Sequence, residues 1–162
     1  MKKIIFCIFS ICILQTVSFA ADVSGVVGLV VGSGDIKYGA KLDVFLASKK
    51  IPVRQVTQQR GSSRDSKLAY RRATFDSISA AYLAIEAEQK DNPDYIKGTA
   101  KTGFNGSFTF NNVSPGEYFV VVTFPSKISF NRVLWQVPVT VSDEDIYVEL
   151  DNDNIDMTYF DR

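Results

Sequence analysis

The stretch Gly103-Phe104-Asn105-Gly106-Ser107-Phe108-Thr109-Phe110-Asn111-Asn112-Val113-Ser114-Pro115-Gly116-Glu117-Tyr118 decides the fold. Asn105-Gly106 and Ser114-Pro115-Gly116 are turn signals. Between them Ser107-Phe108-Thr109-Phe110 alternates polar and apolar, with Val113 beyond. A two-residue period puts Phe108 and Phe110 on one face of a strand. Tyr118 then opens the β-forming run to Phe124.

Working outward, the same grammar recurs. Downstream, Val133, Trp135, Val137, Val139 and Val141 alternate along one strand, in which Pro138 calls for an edge or a bulge. Ser142 to Asp145 is a turn, and Ile146, Val148 and Leu150 form a last alternating strand. Upstream, Asp22 to Val31 is rich in valine, and Leu42, Val44 and Leu46 share a face of the strand Lys41 to Ala47. Gly98 to Thr102 completes the set. Short strands at this spacing predict a mainly β protein: a seven-stranded antiparallel β-sandwich of Greek-key type.

One segment breaks the pattern. From Ser63 to Asp91 there is neither proline nor glycine, and Leu68, Phe75, Ile78, Tyr82 and Ile85 recur at helical spacing. This predicts an amphipathic helix, ended by Asp91-Asn92-Pro93 and inserted between the second and third strands. Residues 48–62 are polar and basic, and read as an exposed loop.

The opening stretch resembles the signature of carboxypeptidase regulatory-like domains. It is carried by Thr102, Gly106, Phe108, Phe110, Val113, Pro115, Gly116 and Tyr118, with Val23-Ser24-Gly25-Val26-Val27 and Ala40 to Leu46 matching the first two strands. The resemblance implies a transthyretin-like, carbohydrate-binding-like sandwich over about two-thirds of the chain after its leader, of a kind mostly without catalytic activity. The helical insertion departs from it.

Composition narrows the function. Eighteen basic residues balance eighteen acidic ones, so nothing favours nucleic acid as a partner. Histidine is absent, which excludes His-based triads, His-ligated zinc and imidazole switches. The two cysteines, Cys7 and Cys12, lie in the leader described below, so no disulfide is expected in the domain. No catalytic residue, cofactor site or metal site emerges, and the chain is not expected to be an enzyme.

Four local features compete for a role. Asp143-Glu144-Asp145 reads as a solvated turn. Asp151, Asn152, Asp153, Asn154 and Asp156 offer hard oxygens that could hold calcium, yet the EF-hand positions six and twelve hold Asp156 and Arg162, so a polar tail over 151–162 is the plainer reading. Met157, Tyr159 and Phe160 are unusually apolar for a frayed end, which leaves open a tail that folds back and covers a sheet edge. Trp135 falls on an apolar face and is expected in the core, leaving Phe124, Phe130, Phe45 and Tyr38 as candidate exposed aromatics. The sharpest feature is the basic opening of the helix. Arg64, Lys67, Arg71 and Arg72, with Arg54 and Arg60 before them, are the candidate partner-binding residues. Bases at the start and acids at the end, Glu86, Glu88 and Asp91, oppose the helix dipole, at roughly 0.3–1 kcal/mol per misplaced charge.

These features predict a secreted or periplasmic binding or accessory module that presents loops and a helix to a protein, a glycan or an anionic envelope polymer. The competing reading is a structural or assembly component of the bacterial envelope or surface. Residues 21–150 would form the sandwich, carrying the insertion at about 63–91.

Residues 1–20 read as an export signal: Lys2 and Lys3, an apolar run from Ile4 to Leu14, then Ser18-Phe19-Ala20. The run is short of the ~20 residues of a membrane span, so no span is expected once it is removed. The destination is the periplasm or the exterior. Cleavage after Ala20 is expected, and N-terminal sequencing of protein from the envelope or medium should begin at Ala21. A cytoplasmic species retaining Met1 contradicts it.

Overall fold

The computed structural model describes residues 20–54, 56 and 63–160. Two sheets and a helix form three layers. The first sheet centres on β1 (Ala21–Val30), which pairs with β5 (Ser107–Val113), β2 (Ile36–Tyr38) and β9 (Ile146–Leu150). The second runs β10 (Met157–Phe160), β8 (Asn131–Val141), β6 (Gly116–Val122), β3 (Asp43–Ala47), β4 (Ile96–Lys101), with β7 (Lys127–Ile128) beside the start of β8. Helix α1 (Arg64–Asp91) joins β3 to β4.

The seven expected strands are all present, but ten are found among the described residues, and the sandwich is not purely antiparallel. Short strands β2, β7 and β10 are additions, and β9 pairs with β1 in parallel, Val23 opposite Ile146 and Val27 opposite Leu150. The three additions span two to four residues each, too short to show a hydrophobic period. The expected polar tail turns back instead, and Met157 to Phe160 pair with Leu134 to Asn131.

The sandwich core follows the alternation. Val23, Val27, Leu29, Phe108, Phe110, Val148 and Leu150 face Val44, Leu46, Val120, Val122, Val133 and Trp135 across the two sheets. Phe108 and Phe110 pack edge to face at 5.7 Å. Gly106 has φ +79°, and a Cβ there would lie 2.4 Å from the Val27 carbonyl oxygen, so the turn admits only glycine. Thr102 is buried; its hydroxyl accepts from the Leu42 amide at 2.7 Å and donates to the Gly39 carbonyl at 2.5 Å. Trp135 is fully buried and donates its indole N–H to the Asp151 carbonyl at 2.8 Å. Pro138 faces Phe119 of β6, and lies beyond the stretch of β8 that β10 covers, so its missing N–H breaks no ladder there.

The second sheet is apolar on both faces. Ala47, Val121 and Leu134 are buried on the side away from the sandwich, where Ile51, Ile78, Ala81, Ile85 and Tyr95 cover them. The helix therefore lies on this sheet alone, and the outer face of the first sheet carries Ser24, Gly28, Val30, Thr109 and Tyr147 toward solvent. Its buried stripe is Thr74, Ser77, Ile78, Ala81 and Ile85, with Phe75 and Tyr82 half-buried at its margin. Leu68 departs from the expected stripe: it is 54% exposed, and residues 64–73 contain no buried position. The start of the helix is as expected, with Ser63 as its cap.

Two side-chain amides act as substitute backbone. Gln136, buried beneath the helix layer, accepts from the Ile51 N–H at 2.8 Å and donates to the Ile51 carbonyl at 3.0 Å. Asn152 does the same for Val30, accepting at 2.7 Å and donating at 3.2 Å. In Gln136→Leu both buried Ile51 groups lose their partner, and each orphan costs roughly 1–3 kcal/mol. Denaturant unfolding is expected to report a loss of at least about 2 kcal/mol; a change within error means that the segment bonds elsewhere.

Candidate functional site

The first half of α1 is built from its cap inward. The Ser63 hydroxyl accepts from the Ser66 N–H at 3.1 Å, and the Ser66 hydroxyl donates to the Ser63 carbonyl at 2.8 Å. Asp65 stands in the first turn and Lys90 in the last, so each end holds one charge of the sign the dipole favours. These contacts offset the opposition expected from Arg64, Lys67 and the acids at the far end.

Arg64, Lys67 and Arg72 are exposed and make no ion pair among the described residues. Arg71 differs. Its guanidinium lies 5.6 Å from the Tyr159 ring centre, and it is half-buried. The four candidate bases thus sit within the first nine residues of α1, three exposed and one half-buried. Arg54 meets the helix farther along: its carbonyl accepts from the Ser77 hydroxyl at 2.6 Å, five residues beyond Arg72. Arg60 lies outside the described residues.

Arg71 begins a ladder of rings and cations along the seam between α1 and the second sheet. Tyr159 meets Phe75 at 5.5 Å. Arg132 lies between Phe75 and Phe124, at 5.2 and 4.8 Å from their centres. Phe124 meets Tyr82 at 5.3 Å, and Tyr82 donates to Glu86. That bond to the Glu86 carboxylate is the main reason the Tyr82 phenol is pushed up. Each contact of this kind adds roughly 0.5–1.5 kcal/mol beyond its buried area. Sequence reasoning placed Phe75 and Tyr82 on the helix face and marked Tyr159 for a fold-back over an edge, but missed Arg132 and the contacts between them, because partners far apart in sequence leave no periodic trace.

The other candidates separate. Phe45 and Phe124 pack half-buried against the helix layer, whereas Tyr38 and Phe130 are 50% and 47% exposed. Tyr38 and Ile36 flank Gly28 on the outer face of the first sheet. Asp143 and Glu144 are exposed, and Asp145 accepts from the Asp22 N–H. The oxygens of the 151–156 turn serve the chain itself: Asp151 accepts from Asp153 N–H, Asn154 accepts from Asp151 N–H, and Asp156 pairs with Lys50 at 2.8 Å. Among the described residues no three metal-ligating side chains converge, and no helix is long and apolar enough to cross a membrane.

No protein-family model matches the chain, and no curated protein matches it. Similar solved structures include a proposed carbohydrate-binding protein of Pseudomonas aeruginosa, at 19% identity and TM-score 0.46, with 83% of this chain and 90% of that one covered. A minor pilin of Streptococcus agalactiae aligns at 12% identity and TM-score 0.45, over 83% of this chain and 44% of that one. The pilus backbone protein of Streptococcus pneumoniae aligns at 13% and 0.38, over 79% and 40%. The chain thus spans under half the length of either pilus protein. With TM-scores below 0.5, these likenesses carry no weight for fold or activity, which rest on the residues above.

Beneath the helix end, Tyr95 is fully buried and its hydroxyl has no hydrogen-bond partner among the described residues. Burial pushes the phenol up to about 12, and the Glu88 carboxylate adds to the rise. A folded pKa above the unfolded one gives stability that is complete below about pH 10 and lost as pH rises toward about 12. Tyr95→Phe removes an unpartnered polar group, so it is expected to be neutral or stabilising near pH 7. It should also flatten the alkaline loss, by up to about 2–3 kcal/mol relative to the parent. Denaturant unfolding of both proteins from pH 8 to pH 12 checks both signs.

Proposed function

We propose that the protein is an exported, non-catalytic binding module whose sandwich carries helix α1 to an anionic partner. The observation that supports this best is the head of the helix. Residues 64–73 contain no buried position, and Arg64, Lys67 and Arg72 among them are exposed and make no ion pair among the described residues. A helix that served only to cover the sheet would gain little from this extra length, about 15 Å at 1.5 Å per residue. Exposed bases of this kind give a positive surface that steers and holds anions.

The leader pattern over residues 1–20 supports export to the periplasm or the cell surface. The motif from Thr102 to Tyr118 supports a place among carboxypeptidase regulatory-like domains. Thr102 ties two loops, Gly106 turns, and Phe108 and Phe110 fill the core, so its residues serve the scaffold and the variable helix carries the contact.

The test is retention on immobilised polygalacturonate and poly-glutamate. Retention is expected at about 0.1 M salt and should vanish near 1 M, where the Debye length falls from ~10 to ~3 Å. The triple change Arg64→Gln, Lys67→Gln, Arg72→Gln should abolish it while the unfolding temperature stays at or above that of the parent. Equal retention by the triple variant would remove the basis for this reading.

A further inference from the structure

A strand at the edge of a sheet presents unpaired N–H and C=O groups that attract other strands, and proteins blunt such edges with charge, short length or a cover. Most edges of this chain are guarded in one of these ways. Strand β8 is covered at its start by β10. The Asn152 amide plugs β1, and the Asn154 amide donates to the Glu149 carbonyl of β9 at 2.7 Å. Strand β4 bears Lys97 and Lys101, and β2, β7 and β10 are two to four residues long.

Strand β5 is the exception among the described residues. It is seven residues long, pairs with β1 alone, and carries neither charge nor proline. Its start fixes the direction in which it bonds. The Val27 N–H donates to the Gly106 carbonyl at 3.0 Å, so Phe108 and Phe110, opposite Gly25 and Val23, turn their backbone groups to β1. Ser107, Thr109 and Asn111 turn theirs outward. Ser107 is already served: its N–H donates to Asn105 Oδ1 at 3.2 Å, and its carbonyl accepts from the Gly103 N–H at 2.8 Å. Asn112 leaves the ladder at φ +55°, and its N–H donates to Asp22 Oδ1 at 2.9 Å. Thr109 and Asn111 therefore hold two N–H groups and two carbonyls that no strand takes up among the described residues. An open cleft of about 290 Å³ runs beside them, with Lys97, Gly98 and Thr99 of β4 in its other wall, so the edge can be reached.

We propose that this edge pairs with the same edge of a second copy, antiparallel about a two-fold axis at Phe110. On that axis the Thr109 N–H and carbonyl of each copy meet the Asn111 carbonyl and N–H of the other, which satisfies all four groups in both. Charge favours a copy as the occupant. Ser107, Thr109 and Asn111 are exposed and neutral, so no like charges are opposed across the pair. In the layer beneath, Lys97 and Lys101 each carry their own carboxylate, Asp94 at 3.4 Å and Asp43 at 2.8 Å, so β4 meets its copy without net charge. The pairing does not involve α1, which lies on the second sheet.

The experiment is sedimentation velocity of the purified protein from about 1 μM to about 1 mM, with amide hydrogen exchange at both ends of that range. A monomer–dimer equilibrium is expected, and the Thr109 and Asn111 amides should exchange at least about tenfold more slowly at the high concentration. Thr109→Lys with Asn111→Lys sets like charges opposite one another, as does Thr109→Glu with Asn111→Glu. Each double change should weaken the dimer by about tenfold or more, and mixing the two variants should restore it. The triple variant Arg64→Gln, Lys67→Gln, Arg72→Gln should dimerise as the parent does. A parent that stays monomeric overturns the proposal; protection of the two amides by an alternating Thr-Val peptide would then give the edge to a foreign strand. A dimer that survives both double changes, or that forms while these amides exchange as in the monomer, overturns it too. Loss of the dimer in the triple variant would move the contact to the helix head. Exchange in the parent decides the matter even if a double variant does not fold.

Discussion

Strand β8 must bury both of its faces, and the rest of the molecule depends on that. Side chains alternate along a strand, so Val133 and Trp135 enter the sandwich while Leu134 and Gln136 point the other way. The second face needs a cover, and a sandwich of two sheets has none to offer. Helix α1 and the segment through Ile51 supply it, and the Gln136 amide fastens that segment to the sheet. Leaving the Ile51 N–H and carbonyl under the helix without such a partner would cost more than the apolar contacts around them return. The insertion is thus a structural requirement of the second sheet, and only its first ten residues, 64–73, contain no buried position.

Much of the sandwich was legible in the sequence because its first sheet keeps one face in solvent. Alternation in Phe108-Thr109-Phe110 and in Ile146, Val148, Leu150 reports that condition directly. Residues Phe119-Val120-Val121-Val122 do not alternate, since Val120 and Val122 face the sandwich and Val121 faces the helix. That unbroken run was the signal for a third layer, and a reading tuned to alternation registers it only as a strongly apolar strand. Leu68 misled for a related reason: helical spacing defines a stripe but not how far the covered sheet extends. Strands β2 and β7 were invisible because pairing with neighbours, not their own pattern, makes them strands, and β10 showed only as apolar residues in a polar tail.

The candidate site was half legible. A run of bases at the head of a helix is a property of sequence, and Arg64, Lys67, Arg71 and Arg72 all lie within the first nine residues of α1. What the sequence could not place is everything that meets them from β8 and β10. Tyr159 lies 88 positions after Arg71, and Arg132 reaches Phe75 across 57. Such contacts come from the return of β10 against the start of β8, a pairing of four residues. This seam is therefore set by a short terminal strand whose one sign in the sequence is the apolar Met157, Tyr159 and Phe160 at the end of a polar tail.

The Asn152 amide has a consequence for how this chain behaves in company. Strand β9 ends at Leu150, and beyond it β1 would present the N–H and carbonyl of Val30 to any passing extended chain. An open edge of this sort recruits strands indiscriminately. One side chain occupies both groups and closes the ladder a residue past the end of its partner. Crowded among like molecules, a chain with that plug in place offers its neighbours one fewer edge from which to aggregate.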